Sequence, residues 1–316
     1  MLKINQISKI YANSHAGLHA CSFELQKGQC LAVVGESGSG KTTLLQILAG
    51  FLPTDFGEMR LHKKLLPSPA DMLVKGYPDL QLVPQDFKLL PNHRVWENIT
   101  LPIRHYAADK QAKRLAYLSE LLGLKDLLER YPRELSGGQQ QRTAIARALS
   151  SEPAVLLLDE PFNQADTKTK QKLVHALAYL KKKDKTAIVL VTHDAQEALG
   201  LADALLVLQA GKTLQCDTPT QIYTHPTEKY IAELFGYINY FPKNKQSEMA
   251  VRAEHTFFSP TPTELQGEII YKFYYGHSYR YVVQVGKHLL WEVYDTTSLP
   301  EGKCYLAFHT DKLMRF

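Results

Sequence analysis

Paired cysteines, long apolar runs and a signal-peptide profile are not found in this 316-residue sequence. Its four cysteines, Cys21, Cys30, Cys216 and Cys304, are scattered without metal-ligand spacing, which argues against a zinc centre or a disulfide framework. His15 and His19 lie four apart, but their segment does not read as helix and supplies no third ligand, so both are read as loop histidines. No apolar run reaches the ~18 residues of a membrane span, and the opening MLKINQISKI has no signal-peptide profile. A cytosolic chain is expected, with any membrane role peripheral. Heptads, low-complexity tracts and 20–50-residue repeats are also lacking, so coiled coils and solenoids are set aside. Nor does one sign of charge dominate: 37 basic and 32 acidic residues leave a mild +5, spread along the chain. That balance suits contact with anions or a membrane face and does not point to nucleic acid. The densest basic run, Lys181 to Lys183, closes a helical pattern and is expected to complement a helix C-terminus and face solvent.

What is present is ordinary globular composition, with 45% hydrophobic and 22% charged residues, enough for one large and one small domain. Through about residue 235, strand-like and helix-like segments alternate, the pattern of an α/β domain. CLAVVG (30–35), AVLLLD (154–159) and TAIVLVTH (186–193) read as buried parallel strands. Helical patterns follow in KTTLLQILAG, from Lys168 to Lys182, and in AQEALGLA, while ALLVLQAGKTLQCD (204–217) reads as two strands about a glycine turn. Lys110 to Arg130 reads as a packed amphipathic helical region. After about Asn239, aromatic and β-branched residues alternate with polar ones, as in short antiparallel strands of a small barrel.

GESGSGKT, Gly35 to Thr42, fits G-x-x-x-x-G-K-[ST] between an apolar strand and a helix. Glycines there let backbone N–H groups surround phosphate oxygens at the positive end of a helix dipole. Lys41 adds a point charge for the β- and γ-phosphates, and the Thr42 hydroxyl can ligate Mg²⁺. A nucleoside triphosphate is therefore the expected ligand. AVLLLDEP ends a second apolar strand on Asp159 and Glu160, one carboxylate for Mg²⁺ and one for polarising an attacking water. LSGGQQQRTAIARAL (135–149) carries a helical face of Ala144, Ile145, Ala148 and Leu149, yet opens on Ser136-Gly137-Gly138. Either Ser136 and Gln139 form a capping box with a glycine turn, or the helix end is kept bare for an anion; this stretch alone does not choose.

Taken in order, GESGSGKT, Gln85 in LVPQDF, LSGGQ (135–139), LLLDEP and His193 in VTHDAQEA strongly resemble the ATP-binding-cassette ATPases, over about residues 1–235. The resemblance implies an α/β P-loop NTPase in 1–238, with a helical subdomain at about 86–150, followed by a small all-β OB-like barrel in 239–316. ATP and Mg²⁺ are the implied cofactors, Glu160 the general base, His193 the switch histidine at the γ-phosphate, and Gln85 the loop glutamine at Mg²⁺ and the water. Nucleotide contacts are implied for Gly35, Ser37, Gly38, Ser39, Gly40, Lys41, Thr42 and Thr43, and metal contacts for Thr42, Gln85 and Asp159. Tyr11 falls where the family stacks an aromatic on adenine, though it reads equally as a surface strand residue. Ser136, Gly137, Gly138, Gln139 and Asp166 complete the implied set, because two cassettes pair head to tail and sandwich ATP between one phosphate loop and the partner's signature helix. The family usually runs Phe-Ser-Ala-Leu-Asp after Asp-Glu-Pro; here Phe162-Asn163-Gln164-Ala165-Asp166 keeps the aspartate and departs at Asn163 and Ala165, which puts communication between the two ATP sites in question.

The tail resembles the transport-associated segment of importer ATPases for iron, polyamines, sugars or oxyanions, in FGYINYFP (235–242) and VRAEH (251–255), with Ala253 in place of a proline. Tyr271, Phe273, Tyr274 and Tyr279 could line a stacking groove, but read better as packed barrel core. The implied protein is a homodimeric ATPase on the inner face of the membrane. Its partners would be permease subunits and an extracytoplasmic solute-binding protein, with no nucleic acid. Docking is expected on KLLPNHRVWENITLPI (88–103), with Trp96 and Leu101 as apolar anchors. The competing readings are an exporter ATPase and a DNA-repair or translation ATPase of the same family. Repair enzymes usually part these motifs by long coiled coils, and only about 95 residues without heptads separate Lys41 from Ser136.

Overall fold

A computed structural model describes residues 1–11, 16–163, 166–241 and 249–316. His15, Gln164, Ala165 and the end of FGYINYFP lie outside the described residues. The chain divides into two compact units, Met1–Pro219 and Thr220–Phe316.

In the first unit the chain lays down β1 (Leu2–Ile10), β2 (Ala16–Leu25), β3 (Cys30–Val34), α1 (Lys41–Leu48), β4 (Phe56–Leu61), β5 (Lys64–Leu65) and β6 (Leu80–Val83). The helical region follows as α2 (Val95–Thr100), α3 (Ala108–Leu121) and α4 (Gly137–Ser150). Then come β7 (Val155–Asp159), α5 (Thr167–Tyr179), β8 (Ala187–Val191), α6 (Ala195–Leu201), β9 (Ala204–Gln209) and β10 (Lys212–Asp217). The ten strands form one sheet in the order β5-β4-β1-β2-β10-β9-β3-β8-β7-β6. From β9 to β6 every pairing is parallel. All residues of β3 and β8 are buried, which is why these strands are apolar without alternation: both faces are covered. The register aligns Val33 and Asp159 with Val191, and Val83 with Leu158. Four strand ends therefore finish along one edge, and the loops that leave them share one surface.

Two details of the helical region shape that surface. α4 buries Ala144, Ile145, Ala148 and Leu149, the face expected from its spacing. Asn98, fully buried in α2, accepts from Leu90 N and donates to the carbonyls of Leu90, His93 and Arg94, so one amide holds the preceding loop in place. The basic run differs from expectation. Lys182 and Lys183 are exposed, but Lys181 is partly buried and its Nζ donates to Leu201 O and Asp203 Oδ1, both at 3.1 Å. α5 ends at Tyr179, and the wider π-type turn Leu180–Asp184 carries Lys181 toward the end of α6, a helix terminus other than its own.

The second unit holds α7 (Pro219–Thr224), α8 (Lys229–Leu234), β11 (Ile238–Tyr240), β12 (Met249–Arg252), β13 (Thr256–Phe258), β14 (Leu265–Tyr274), β15 (Tyr279–Val285), β16 (Leu289–Asp295), β17 (Gly302–Phe308) and β18 (Met314–Arg315). It begins ahead of the change in texture near Asn239, because buried Arg252 of β12 donates to Tyr223 O and Ala232 O and so ties α7 and α8 to the strands. β11, β12 and β18 form a three-stranded sheet. The other five strands run antiparallel in the order β13-β17-β14-β15-β16, and the end strands β13 and β16 touch, so the barrel nearly closes.

Its core is Val251, Ile269, Tyr281, Val283, Val285, Trp291, Val293 and Leu306. Here the reading of four aromatics as barrel core is corrected: Tyr271, Phe273 and Tyr274 are 59%, 42% and 67% exposed, and only Tyr279 packs against the core. The cause is a bulge in β14. Ile269 pairs with Val283, but Tyr271 pairs with Val282, so the strand slips by one residue and Tyr271 and Phe273 turn outward, while Tyr274, on the other face, lies exposed at the strand's end beside Tyr279. Trp291 is fully buried and its indole N–H donates to Tyr240 O at 2.9 Å. Trp291→Ala is expected to remove about 3–5 kcal/mol from this unit. Hydrogen exchange at β15 and β16 amides in low urea would show it, and unchanged protection would contradict it.

Candidate functional site

The loop Gly35–Gly40 joins β3 to α1 in a shape that needs glycine. At Gly40 φ is +103°, and a Cβ there would lie 2.3 Å from Gly17 O. A Cβ on Gly35 would meet Leu208 O at 2.1 Å. Gly38, at φ +80°, faces open space. The buried Lys41 curls beneath the loop and donates to Gly35 O and Glu36 O, each at 2.7 Å. Burial pushes its ammonium pKa down, while Glu160, Asp159 and Glu36 push it back up. A cavity of about 250 Å³ opens here, lined by Tyr11, Gly17, Gly38, Gly40, Lys41, Thr42 and Thr43. Tyr11 is 41% exposed, and its hydroxyl lies 3.2 Å from Thr43 Oγ1, so this aromatic stands against the loop. Ser39 is buried and Ser37 exposed.

The adjacent strand ends bring the acidic groups to the same edge. Asp159 closes β7; burial and neighbouring Glu160 raise its pKa, against the opposing pull of Lys41. Glu160 sits at φ +48°, a left-handed conformation unusual for glutamate, held by its N–H donating to Val191 O at 2.9 Å. That bend turns its carboxylate toward β8, where Oε2 lies 2.9 Å from His193 Nδ1 and 3.3 Å from His193 N. Gln85 is exposed just past the end of β6, the neighbour of β7. The site thus collects a cationic phosphate cradle, hard oxygen donors on Thr42 and Asp159, and a carboxylate paired to an imidazole. Those are the components for binding and hydrolysing a phosphoanhydride.

Not every expected residue gathers there. Among the described residues, the signature stretch, Gln85 and Asp166 do not line the Lys41 cavity. Ser136 caps α4, and its N–H donates to Gln139 Oε1 at 2.9 Å, one half of the capping box. Gly138 has a further reason to be glycine: a Cβ there would lie 2.8 Å from Thr169 Cγ2 of α5. Asp166 caps α5, accepting from Thr169 N at 3.0 Å and from its hydroxyl at 2.8 Å, bonds that lower its pKa. Residues to which the motifs assign no role join the frame. Buried Gln141 of α4 donates to Pro161 O, next to Glu160, and Lys170 of α5 pairs with Asp194 and Glu197 beside His193. No motif marks Lys170, and Gln141, though it lies within LSGGQQQR, has no role expected of it there; each is an ordinary helical polar residue until the fold places its partner.

A second concavity, of about 720 Å³, is largely apolar and lies between the sheet and the helical region. Phe51, Leu82, Val83, Phe87, Leu101 and Pro102 line it, with Arg147. Of the two expected docking anchors Leu101 lines this groove, whereas Trp96 is 37% exposed and is not among its lining residues.

Comparison with known proteins follows the same lines. The family profile described as ABC transporter matches residues 18–163. The sn-glycerol-3-phosphate import ATP-binding protein of Chromohalobacter salexigens is 38% identical over 237 residues, 74% of this chain and 63% of that protein. The Fe(3+) ions import ATP-binding protein of Haemophilus influenzae is 34% identical over 256 residues, 80% of this chain and 73% of that protein. The spermidine/putrescine import ATP-binding protein of Treponema pallidum is 37% identical over 265 residues, 83% and 68% of the two chains. The chain thus spans less than two thirds of the glycerol-phosphate relative. Among solved structures, a dimeric ATP-binding cassette in a post-hydrolysis state with ADP and Pi superposes with TM-score 0.62 at 27% identity, over 69% of this chain and 99% of that one.

Proposed function

Because the chain belongs to the ATP-binding-cassette transporter family, we propose that it is the ATP-hydrolysing subunit of an import transporter. In this reading it acts as a homodimer on the cytoplasmic face of the membrane, under separate permease subunits supplied by a solute-binding protein. The observation that carries it is the Glu160–His193 pair, 2.9 Å apart, on the sheet edge that also bears the Lys41 loop. Lys41 would leave its backbone carbonyls for phosphate oxygens, with the loop N–H groups around them. Tyr11 would stack on the base. Thr42 and Asp159, hard oxygen donors beside Gln85, suit Mg²⁺, which when bound neutralises phosphate charge. Glu160 would take the proton of the attacking water, and His193 would hold that carboxylate and reach the γ-phosphate.

Import is supported by three relatives, all named for import and each for a different solute. Their disagreement leaves the solute to the permease. The apolar groove around Leu101 is the proposed permease dock, and no nucleic-acid partner is expected. Leu101→Glu combined with Phe51→Glu should leave ATPase of the isolated chain near normal and reduce co-purification with the permease by about 30-fold, as for loss of one hot spot. Undiminished co-purification would move the dock elsewhere.

A further inference from the structure

We propose that Lys170 is a positioning residue that links each chain's signature helix to its own switch histidine. The link rests on a line of direct contacts. At one end, the close fit of Gly138 against Thr169 Cγ2 seats the opening of α4 on the first turn of α5. Lys170 follows directly, its N–H bonded to Asp166 O at 2.8 Å, so its place on α5 is set by the cap that Asp166 forms. Its ammonium reaches Asp194 Oδ2 at 3.1 Å and also pairs with Glu197 Oε1. Asp194 is the residue after His193. Its two carboxylate oxygens divide the work: Oδ1 accepts from Gln196 N and Glu197 N at the start of α6, while Oδ2 holds Lys170. His193 in turn meets Glu160.

The electrostatics make this a firm joint. The Glu197 side chain is only 5% exposed, with its second oxygen buried and unbonded, so Lys170 supplies the counter-charge that carboxylate needs. Exposed ion pairs position little, but a pair with one member out of water resists being pulled apart. A second strut runs beside it, from Gln141 of α4 to Pro161 O.

The functional sense rests on the head-to-tail reading given above. In such a dimer α4 serves the partner's nucleotide, while Glu160 and His193 serve the chain's own. Lys170 then lets engagement of the signature at one nucleotide bias the imidazole at the other. Within one chain it keeps His193 in register with Glu160.

Lys170→Met should lower kcat about 10-fold or more at saturating ATP with KM within about two-fold, because a misplaced catalytic group slows chemistry without loosening the phosphate cradle. Lys170→Arg should recover at least half of the rate, which a purely steric role for the stem would not require. A Lys170→Met protein that keeps most of its kcat, loses kcat and KM together, or is not rescued by arginine overturns the proposal. Failure of the dimer reading is separately visible: normal hydrolysis by Ser136→Arg would remove the coupling between two sites, while the kcat effect of Lys170→Met would still stand for His193 within one chain.

Discussion

Glu160→Gln is expected to lower ATP turnover about 10³-fold, within the span of general-base contributions, while nucleotide still binds. Glutamine keeps the size of the side chain, and its Oε1 can still accept from His193 N, so the turn at φ +48° should persist. What it cannot do is accept the proton of an attacking water. The cradle made by Lys41 and the loop glycines is untouched, so affinity for a fluorescent ATP analogue should change little. Phosphate release at saturating ATP is the direct readout. Near-normal release would remove Glu160 as the base and turn attention to Asp159, whose pKa burial and Glu160 already raise.

Ser136→Arg should abolish turnover almost as completely, by about 100-fold or more, the scale of losing a preorganised phosphate contact. Arginine would crowd the open end of α4 and cost only about 1 kcal/mol in lost capping, so the isolated chain should fold and bind nucleotide. Mixing separates a signature that works across two chains from one that works within its own. A dimer of one Glu160→Gln chain and one Ser136→Arg chain has one site with both defects and one site intact. An equimolar mixture that exchanges subunits freely should regain about a quarter of wild-type activity, since half the dimers are mixed and each has one good site of two. A signature acting within its own chain predicts no recovery, because every chain then carries one defect. Activity in the mixture no greater than in either variant would therefore refute the head-to-tail arrangement.

Legibility in the sequence followed contact distance along the chain. GESGSGKT, the apolar strand ending in Asp159 and Glu160, and the period of α4 could all be read directly, because strand, turn and helix preferences act over a few residues. The parallel sheet then brought Gly35, Asp159 and His193 to one edge, as the uninterrupted apolar strands implied. Other features depended on partners far away in the chain. A one-residue bulge turned Tyr271 and Phe273 out of the barrel, and their alternation could not reveal it, because a register slip leaves the sequence pattern intact. Lys181 found the end of α6 rather than solvent because a wider turn re-aimed it. The SGG opening shows both cases together. Capping by Ser136 and Gln139 is local and was written in four residues, whereas the need for glycine at 138 comes from Thr169, brought against it only when α5 packs on α4. The sequence by itself determined the chemistry available and the strands and helices that carry it. Tertiary packing decided which groups stand close enough to move one another, because a few ångströms of approach between distant segments is a property of the whole packed unit.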